Sequence, residues 1–170
     1  MIEFSKKNSL MDECLLRLER SRNGIIKIDY DLLNSYLCGK IEKFNDVYIL
    51  SFYNNSLKLA ENGLQNNENT DEIEGSLSKL HISDLIDKDQ KKLKKIEYLR
   101  IGVFVSELLY YRLRSEFSIE TFVINVSYNI KGKYKDCVVR FHQLKNNSYY
   151  NDQSYFENFK NEALGIILTR

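Results

Sequence analysis

Two stretches near the C-terminal end of the chain alternate apolar and polar residues with the period of two that is typical of β-strands. In residues 121–130 the apolar positions are Phe122, Ile124, Val126, Tyr128 and Ile130. In residues 136–142 they are Cys137, Val139 and Phe141. The dipeptide Lys131-Gly132 lies between the two stretches as a turn signal. The pattern predicts an antiparallel hairpin with one apolar face.

Helical spacing of apolar residues predicts two helices near the N-terminus. The first covers residues 9–22, with Ser9 as its N-cap. The second covers residues 29–39, with Asp29 as its N-cap and Gly39 at its end.

The longest helical pattern predicts a central helix over residues 88–115. The alternative is a break near Gly102, with residues 101–105 as a strand, because β-branched residues cluster there. A further helix is expected at the C-terminus, beginning after Asn151 or Asp152. Its predicted apolar stripe consists of Phe156, Phe159, Ala163, Ile166 and Ile167.

The remaining segments complete the prediction of one α+β domain over residues 1–170. Strands are expected at residues 24–28 and 46–53, and a short helix at residues 56–62. Residues 65–75 are polar and acidic, which predicts a mobile loop. The expected architecture is an antiparallel sheet that includes a C-terminal hairpin, packed by a long central helix, N-terminal helices and a C-terminal helix.

Composition narrows the classes of protein to consider. The chain has 170 residues, of which 43% are hydrophobic and 29% charged, as in a globular domain. No run of residues reaches the roughly 20 apolar positions that a membrane span needs. The three cysteines, Cys14, Cys38 and Cys137, are far apart and suit neither a disulfide framework nor a zinc site. We therefore expect a cytoplasmic protein without a cofactor or metal, and no catalytic motif indicates an enzyme.

Charge is distributed unevenly along a chain whose net charge is only +1. Residues 61–89 hold eight acidic residues and two lysines, whereas residues 91–95 hold four lysines. The net charge near zero argues against a dedicated nucleic-acid binder, while the acidic cluster predicts a surface that attracts a cationic protein. The candidate partner-binding residues are Glu68, Asp71, Glu72, Glu74, Asp84 and Asp87.

The predicted hairpin offers an alternative, basic surface. Arg140 and His142 are two residues apart and therefore share one face of a strand, across from Asn125, Ser127 and Asn129. Arginine can bind a phosphate and histidine can transfer a proton, so this face could bind or cleave RNA. Cleavage generally needs a second acid or base, and the other histidine, His81, is distant in sequence. The alternative nucleic-acid face consists of Arg140, His142, Lys131 and Lys133.

The acidic run from Glu68 to Glu74 and the hairpin and helix predicted over residues 119–168 give the chain a resemblance to a functional class. In overall character it resembles the small immunity proteins of bacterial contact-dependent growth inhibition and related polymorphic toxin systems. The resemblance implies a protein that binds one cognate toxin domain, often a nuclease, and blocks its active site. Its net charge is less acidic than this class would suggest, so the expectation depends on the local acidic cluster.

A third hypothesis concerns residues 101–111, the most apolar segment of the chain. If this segment were exposed, it would suit a chaperone or scaffold subunit that presents an apolar surface to a partner. The sequence leaves the oligomeric state open.

Overall fold

The computed structural model describes residues 3–21, 26–52, 55–66, 68–86, 93–130, 136–145 and 153–169. Its strands are β1 (Lys6–Lys7), β2 (Ile41–Phe44), β3 (Val47–Leu50), β4 (Leu80–His81), β5 (Phe122–Asn129), β6 (Cys137–Gln143) and β7 (Glu162–Leu168). Its helices are α1 (Ser9–Arg20), α2 (Tyr30–Cys38), α3 (Ser56–Gln65), α4 (Thr70–Leu77), α5 (Lys95–Glu116) and α6 (Gln153–Glu157), with a 3-10 helix at Ile82–Leu85. The predicted α+β class is confirmed.

An antiparallel sheet with the strand order β1-β7-β5-β6-β4 organises the main core. The predicted hairpin is confirmed as β5 and β6, whose register pairs Ile124 with Phe141 and Val126 with Val139. These side chains are fully buried on the sheet face that packs against α5. Because successive side chains of a strand lie on opposite faces of the sheet, the alternation of apolar and polar residues determines which face packs into the core. The predicted turn at Lys131-Gly132 lies outside the described residues.

The predicted C-terminal helix is wrong beyond its first residues. Only Gln153–Glu157 is helical, and Glu162–Leu168 is strand β7, which lies between β1 and β5. Both faces of β7 are covered, so its apolar residues form a continuous run whose spacing fits a helix equally well. At the centre of β7, a side chain at Gly165 would begin 2.6 Å from the Phe4 ring, which explains the glycine.

The long central helix is confirmed as α5, although it begins at Lys95 and residues 93–94 are not helical. Residues 88–92 of the predicted helix lie outside the described residues. The alternative strand over residues 101–105 is wrong, because all five residues lie within α5. Gly102 permits this helix to pass close to β6, since a Cβ atom there would collide with the Sγ atom of Cys137. The loss of helix propensity at Gly102 is therefore the cost of close helix–sheet packing.

The two predicted N-terminal helices are confirmed as α1 and α2. Asp29 caps α2 by accepting a hydrogen bond from the backbone N–H of Leu32 at 2.9 Å, and Gly39 follows its last residue. The cap of α1 was predicted one residue too late, because Asn8 rather than Ser9 precedes the helix. Residues 24–25 of the predicted strand 24–28 lie outside the described residues, and its last residue forms only an isolated bridge.

A second, smaller sheet pairs β2 with β3. The strand predicted over residues 46–53 is shortened to β3, and its partner β2 was not predicted. Asn45 and Asp46 join the two strands with φ angles of 45° and 63°, the left-handed conformation of a tight hairpin turn. The turn residues are Asn-Asp, which indicates a hairpin turn less strongly than Asn-Gly does.

Helices α3 and α4 cover β3 and form a separate cluster of buried apolar side chains. The loop predicted over residues 65–75 is wrong for residue 65, which ends α3, and for residues 70–75, which belong to α4. The inward face of α4 includes Glu74 and Gly75 beside Ile73 and Leu77, so its apolar content is too low to predict a helix. Asn69 caps this helix by accepting a hydrogen bond from the Asp71 N–H at 3.0 Å.

Candidate functional site

The acidic residues predicted to bind a partner lie at several different places. Glu68 lines a cleft between α3 and α4, whereas Asp71 and Glu72 line a groove over the sheet. Asp84 lines another cleft, together with residues 26–30, and Asp87 lies outside the described residues. Glu68, Asp71 and Glu72 therefore remain neighbours along one part of the chain, and Asp84 belongs to another surface.

Glu74 is an internal residue and is not placed to contact a partner. Its side chain is fully buried and accepts hydrogen bonds from the backbone N–H groups of Tyr48, at 3.0 Å, and Gln143, at 2.5 Å. Lys145 forms an ion pair with it at 3.0 Å. Burial raises the pKa of Glu74, although these three donors act to lower it. Its place in the predicted docking surface is corrected to a structural one.

A groove of about 590 Å³, here called the sheet-face groove, lies over the face of the large sheet opposite α5. The hairpin supplies its floor, α4 supplies one wall, and α6 with the residues after it supplies the other. As predicted, Asn125, Ser127, Arg140 and His142 share this face and line the groove, whereas Asn129, which was predicted with them, does not line it. The register pairs Asn125 directly with Arg140. Lys131 and Lys133 lie outside the described residues.

His142 is almost completely buried at the edge of this floor, with 5% of its surface exposed. Burial lowers its pKa to about 4, Arg140 and Lys145 act in the same direction, and Asp71 opposes them. Its Nδ1 atom lies 3.5 Å from the amide nitrogen of Asn125. At neutral pH the imidazole is therefore uncharged and can accept a proton or a hydrogen bond.

The stability of the folded protein should reflect this buried histidine. Its pKa falls from 6.5 to about 4 on folding, so the unfolded chain binds more protons between these pH values. The free energy of unfolding should therefore fall as the pH drops from 6.5 to 4, by about 2–3 kcal/mol from this group. His142→Gln should lose less stability across the same range, measured by denaturant unfolding at successive pH values. Parallel pH profiles of the two proteins would contradict the assignment.

Arg140 is exposed at the floor of the sheet-face groove. Its guanidinium makes no ion pair or hydrogen bond with any residue that the structure describes, although Asp71 and Glu72 line the same groove. The aliphatic part of the arginine lies beside Gly75, where a Cβ atom would be in ordinary van der Waals contact with Cδ at 3.7 Å. Charges of both signs thus line one cavity, and Arg140 forms no ion pair with the carboxylates of α4 beside it.

The surface of α3 and α4, here called the α3–α4 surface, combines acidic and apolar side chains. Its cleft has a volume of about 450 Å³ and is lined by Leu59, Glu68 and Ile73 among others. Leu57 and Leu59 are 49% and 52% exposed, although both are large apolar residues. Within the described residues, the exposed carboxylates of Glu61, Glu68 and Glu72 form no ion pair.

Sequence analysis missed the pair formed by His81 and Asp136. The Nδ1 atom of His81 lies 2.6 Å from Oδ2 of Asp136, while Oδ1 accepts hydrogen bonds from the N–H groups of Ser83 and Cys137. This pair links β4 and the 3-10 helix to the start of β6. The two residues are 55 positions apart, so spacing gave no signal of their contact.

Among the described residues, the structure offers neither a cluster of metal ligands nor a helix able to span a membrane. No group of three or more His, Cys, Asp and Glu side chains there is placed to hold a metal ion. No described helix has the length and apolar character required to cross a membrane. Comparisons of the chain with protein-family models, curated proteins and solved structures found no match.

Proposed function

We propose that this protein is a cytoplasmic immunity protein that binds a basic toxin domain, most simply a nuclease, and prevents the toxin from reaching its substrate. The observation that carries the proposal is the α3–α4 surface, where the half-exposed Leu59 lines one cleft with Glu68, whose carboxylate lacks an ion-pair partner among the described residues. This proposal also rests on the overall resemblance of the sequence to immunity proteins.

The composition of the α3–α4 surface suits protein recognition. Apolar side chains at the centre of an interface contribute affinity when a partner excludes water from them, and the polar rim contributes specificity. Leu59 would supply an apolar contact, and Glu61 and Glu68 the charged ones. A nuclease must bind phosphates, so its active-site cleft is cationic and would be attracted to these carboxylates.

Nucleic-acid binding at the hairpin remains a second candidate, because Arg140 makes no ion pair with a described residue. The groove around Arg140 is also lined by Asp71, Glu72 and Glu162. These carboxylates would repel the phosphates of a nucleic-acid strand. The acidic residues of this groove therefore disfavour RNA.

Charge reversal on the α3–α4 surface tests the proposal. The partner is sought among the products of the neighbouring reading frames, as a basic toxin domain in catalytically inactive form. Glu61→Lys/Glu68→Lys should weaken its binding about 10- to 100-fold, mainly through slower association, and should reduce the dependence of the rate on salt. Surface plasmon resonance at several salt concentrations measures these changes.

A matched control changes the net charge of the protein by the same amount as the test variant. Glu3→Lys/Glu19→Lys reverses two exposed carboxylates at the N-terminus and on α1, and it should leave the affinity within about twofold of the original. Equal losses in the two double variants would assign the effect to total charge and not to the α3–α4 surface. Failure of the unmodified protein to bind the neighbouring toxin domain, or to protect cells from it, would overturn the proposed function.

A further inference from the structure

We propose that the sheet-face groove binds a small zwitterion of the α-amino-acid or short-peptide class, with its carboxylate on Arg140 and its ammonium group beside Glu72. This inference goes beyond the proposed function and concerns a different surface. The two surfaces meet at α4, so the experiment below separates them.

The carboxylate end of the ligand would bind at the floor of the groove. A guanidinium presents two parallel N–H donors that match the two oxygens of a carboxylate. Arg140 is exposed there without an ion-pair or hydrogen-bond partner among the described residues. Ser127 lines the same cavity from the neighbouring strand, two residues along from Asn125, the partner of Arg140, and its hydroxyl can donate to the same carboxylate.

The ammonium end would bind at the α4 wall. Asp71 and Glu72 lie in the first turn of α4 and both line the cavity. Glu72 and Arg140 form no ion pair with each other or with another described residue, so these two opposite charges do not neutralise one another by direct contact. Lys79 and Glu162 also line the cavity. A ligand that carries both charges can satisfy both sides at once. A purely anionic ligand such as a nucleotide would instead meet carboxylates beside its phosphate.

The third side of the groove suits an apolar side chain. Tyr155 and Phe159 line it, with their ring centroids 5.4 Å apart in an edge-to-face arrangement above the buried Phe156. The cavity of about 590 Å³ is in the range of small-molecule sites, which are typically about 300–1,000 Å³. Polar groups on two sides and aromatic rings on the third therefore favour an amino acid or dipeptide with an apolar or aromatic side chain.

Titration calorimetry with phenylalanine and phenylalanyl dipeptides tests this site on the full chain. The zwitterions should bind. Two analogues should each bind at least about tenfold more weakly: N-acetyl-phenylalanine, which lacks the ammonium group, and phenylalanine amide, which lacks the carboxylate. Arg140→Gln should weaken zwitterion binding at least about tenfold and affect the amide little. Arg17→Gln, an exposed arginine on α1, is the matched control and should bind as the original does.

Two further measurements separate this site from the partner surface. Glu68→Lys should keep zwitterion binding, and Arg140→Gln should keep toxin binding, because each residue lines only one of the two cavities. The proposal would be overturned if no standard amino acid or dipeptide gave a heat of binding at millimolar concentration. Tighter binding of adenosine monophosphate than of any zwitterion would also overturn it, in favour of an anion site.

Discussion

Replacing Glu74 with alanine should lower the free energy of unfolding by about 3–5 kcal/mol. Its carboxylate joins the two sheets, since Oε1 accepts a hydrogen bond from the Tyr48 N–H of β3 and Oε2 accepts one from the Gln143 N–H of β6. Alanine would leave both N–H groups without an acceptor and Lys145 without its ion-pair partner. Buried groups that lose their partners bear the full cost of desolvation.

Glu74→Gln separates charge from shape. Glutamine has nearly the same volume, but its amide nitrogen would face one of the two backbone N–H donors, so we expect a loss of about 2–3 kcal/mol. Glu72→Ala is the matched control on the same helix, and its exposed side chain should contribute less than about 1 kcal/mol. Urea unfolding followed by circular dichroism measures all three variants. Similar losses for Glu74→Ala and Glu72→Ala would show that Glu74 does not join the sheets as described.

The role of Glu74 shows where sequence reasoning reaches its limit. A glutamate in an acidic run is normally exposed, and only the three-dimensional arrangement shows that β3 and β6 each direct an N–H group at it. The hairpin could be predicted, because its core face repeats with a period of two over Phe122–Asn129. Strand β7 could not be distinguished from a helix, because both of its faces are buried and its apolar residues are continuous.

The candidate site was predictable only in part. The shared face of Arg140 and His142 follows from their spacing on one strand, and the structure confirms that they line one groove. Helix α4 forms one wall of this groove and places Asp71 near His142. This arrangement could not be predicted, because residues 70–75 were predicted to be a loop. Acidic and basic residues that were assigned to competing hypotheses therefore line a single cavity.

Asn8 should be the next most sensitive polar residue, with Asn8→Ala destabilising the protein by about 2–4 kcal/mol. The side chain is 1% exposed and makes four hydrogen bonds. Its Oδ1 atom accepts from the N–H groups of Met11 and Leu164, at 2.9 and 3.1 Å. Its amide nitrogen donates to the carbonyls of Phe156 and Glu162, at 3.3 and 2.9 Å. One residue thus caps α1 and attaches it to the C-terminal segment.

Asn8→Asp distinguishes these two roles by the same unfolding measurement. Aspartate is as good an N-cap as asparagine, so the cap of α1 would be retained. However, a carboxylate oxygen would replace the amide donor and face the carbonyls of Phe156 and Glu162, so this variant should be at least as unstable as Asn8→Ala. The control Asn34→Ala removes an exposed asparagine from α2 and should change stability by less than about 0.5 kcal/mol. Full stability of Asn8→Asp would mean that Asn8 acts only as a helix cap and that the attachment of the C-terminal segment depends on other contacts.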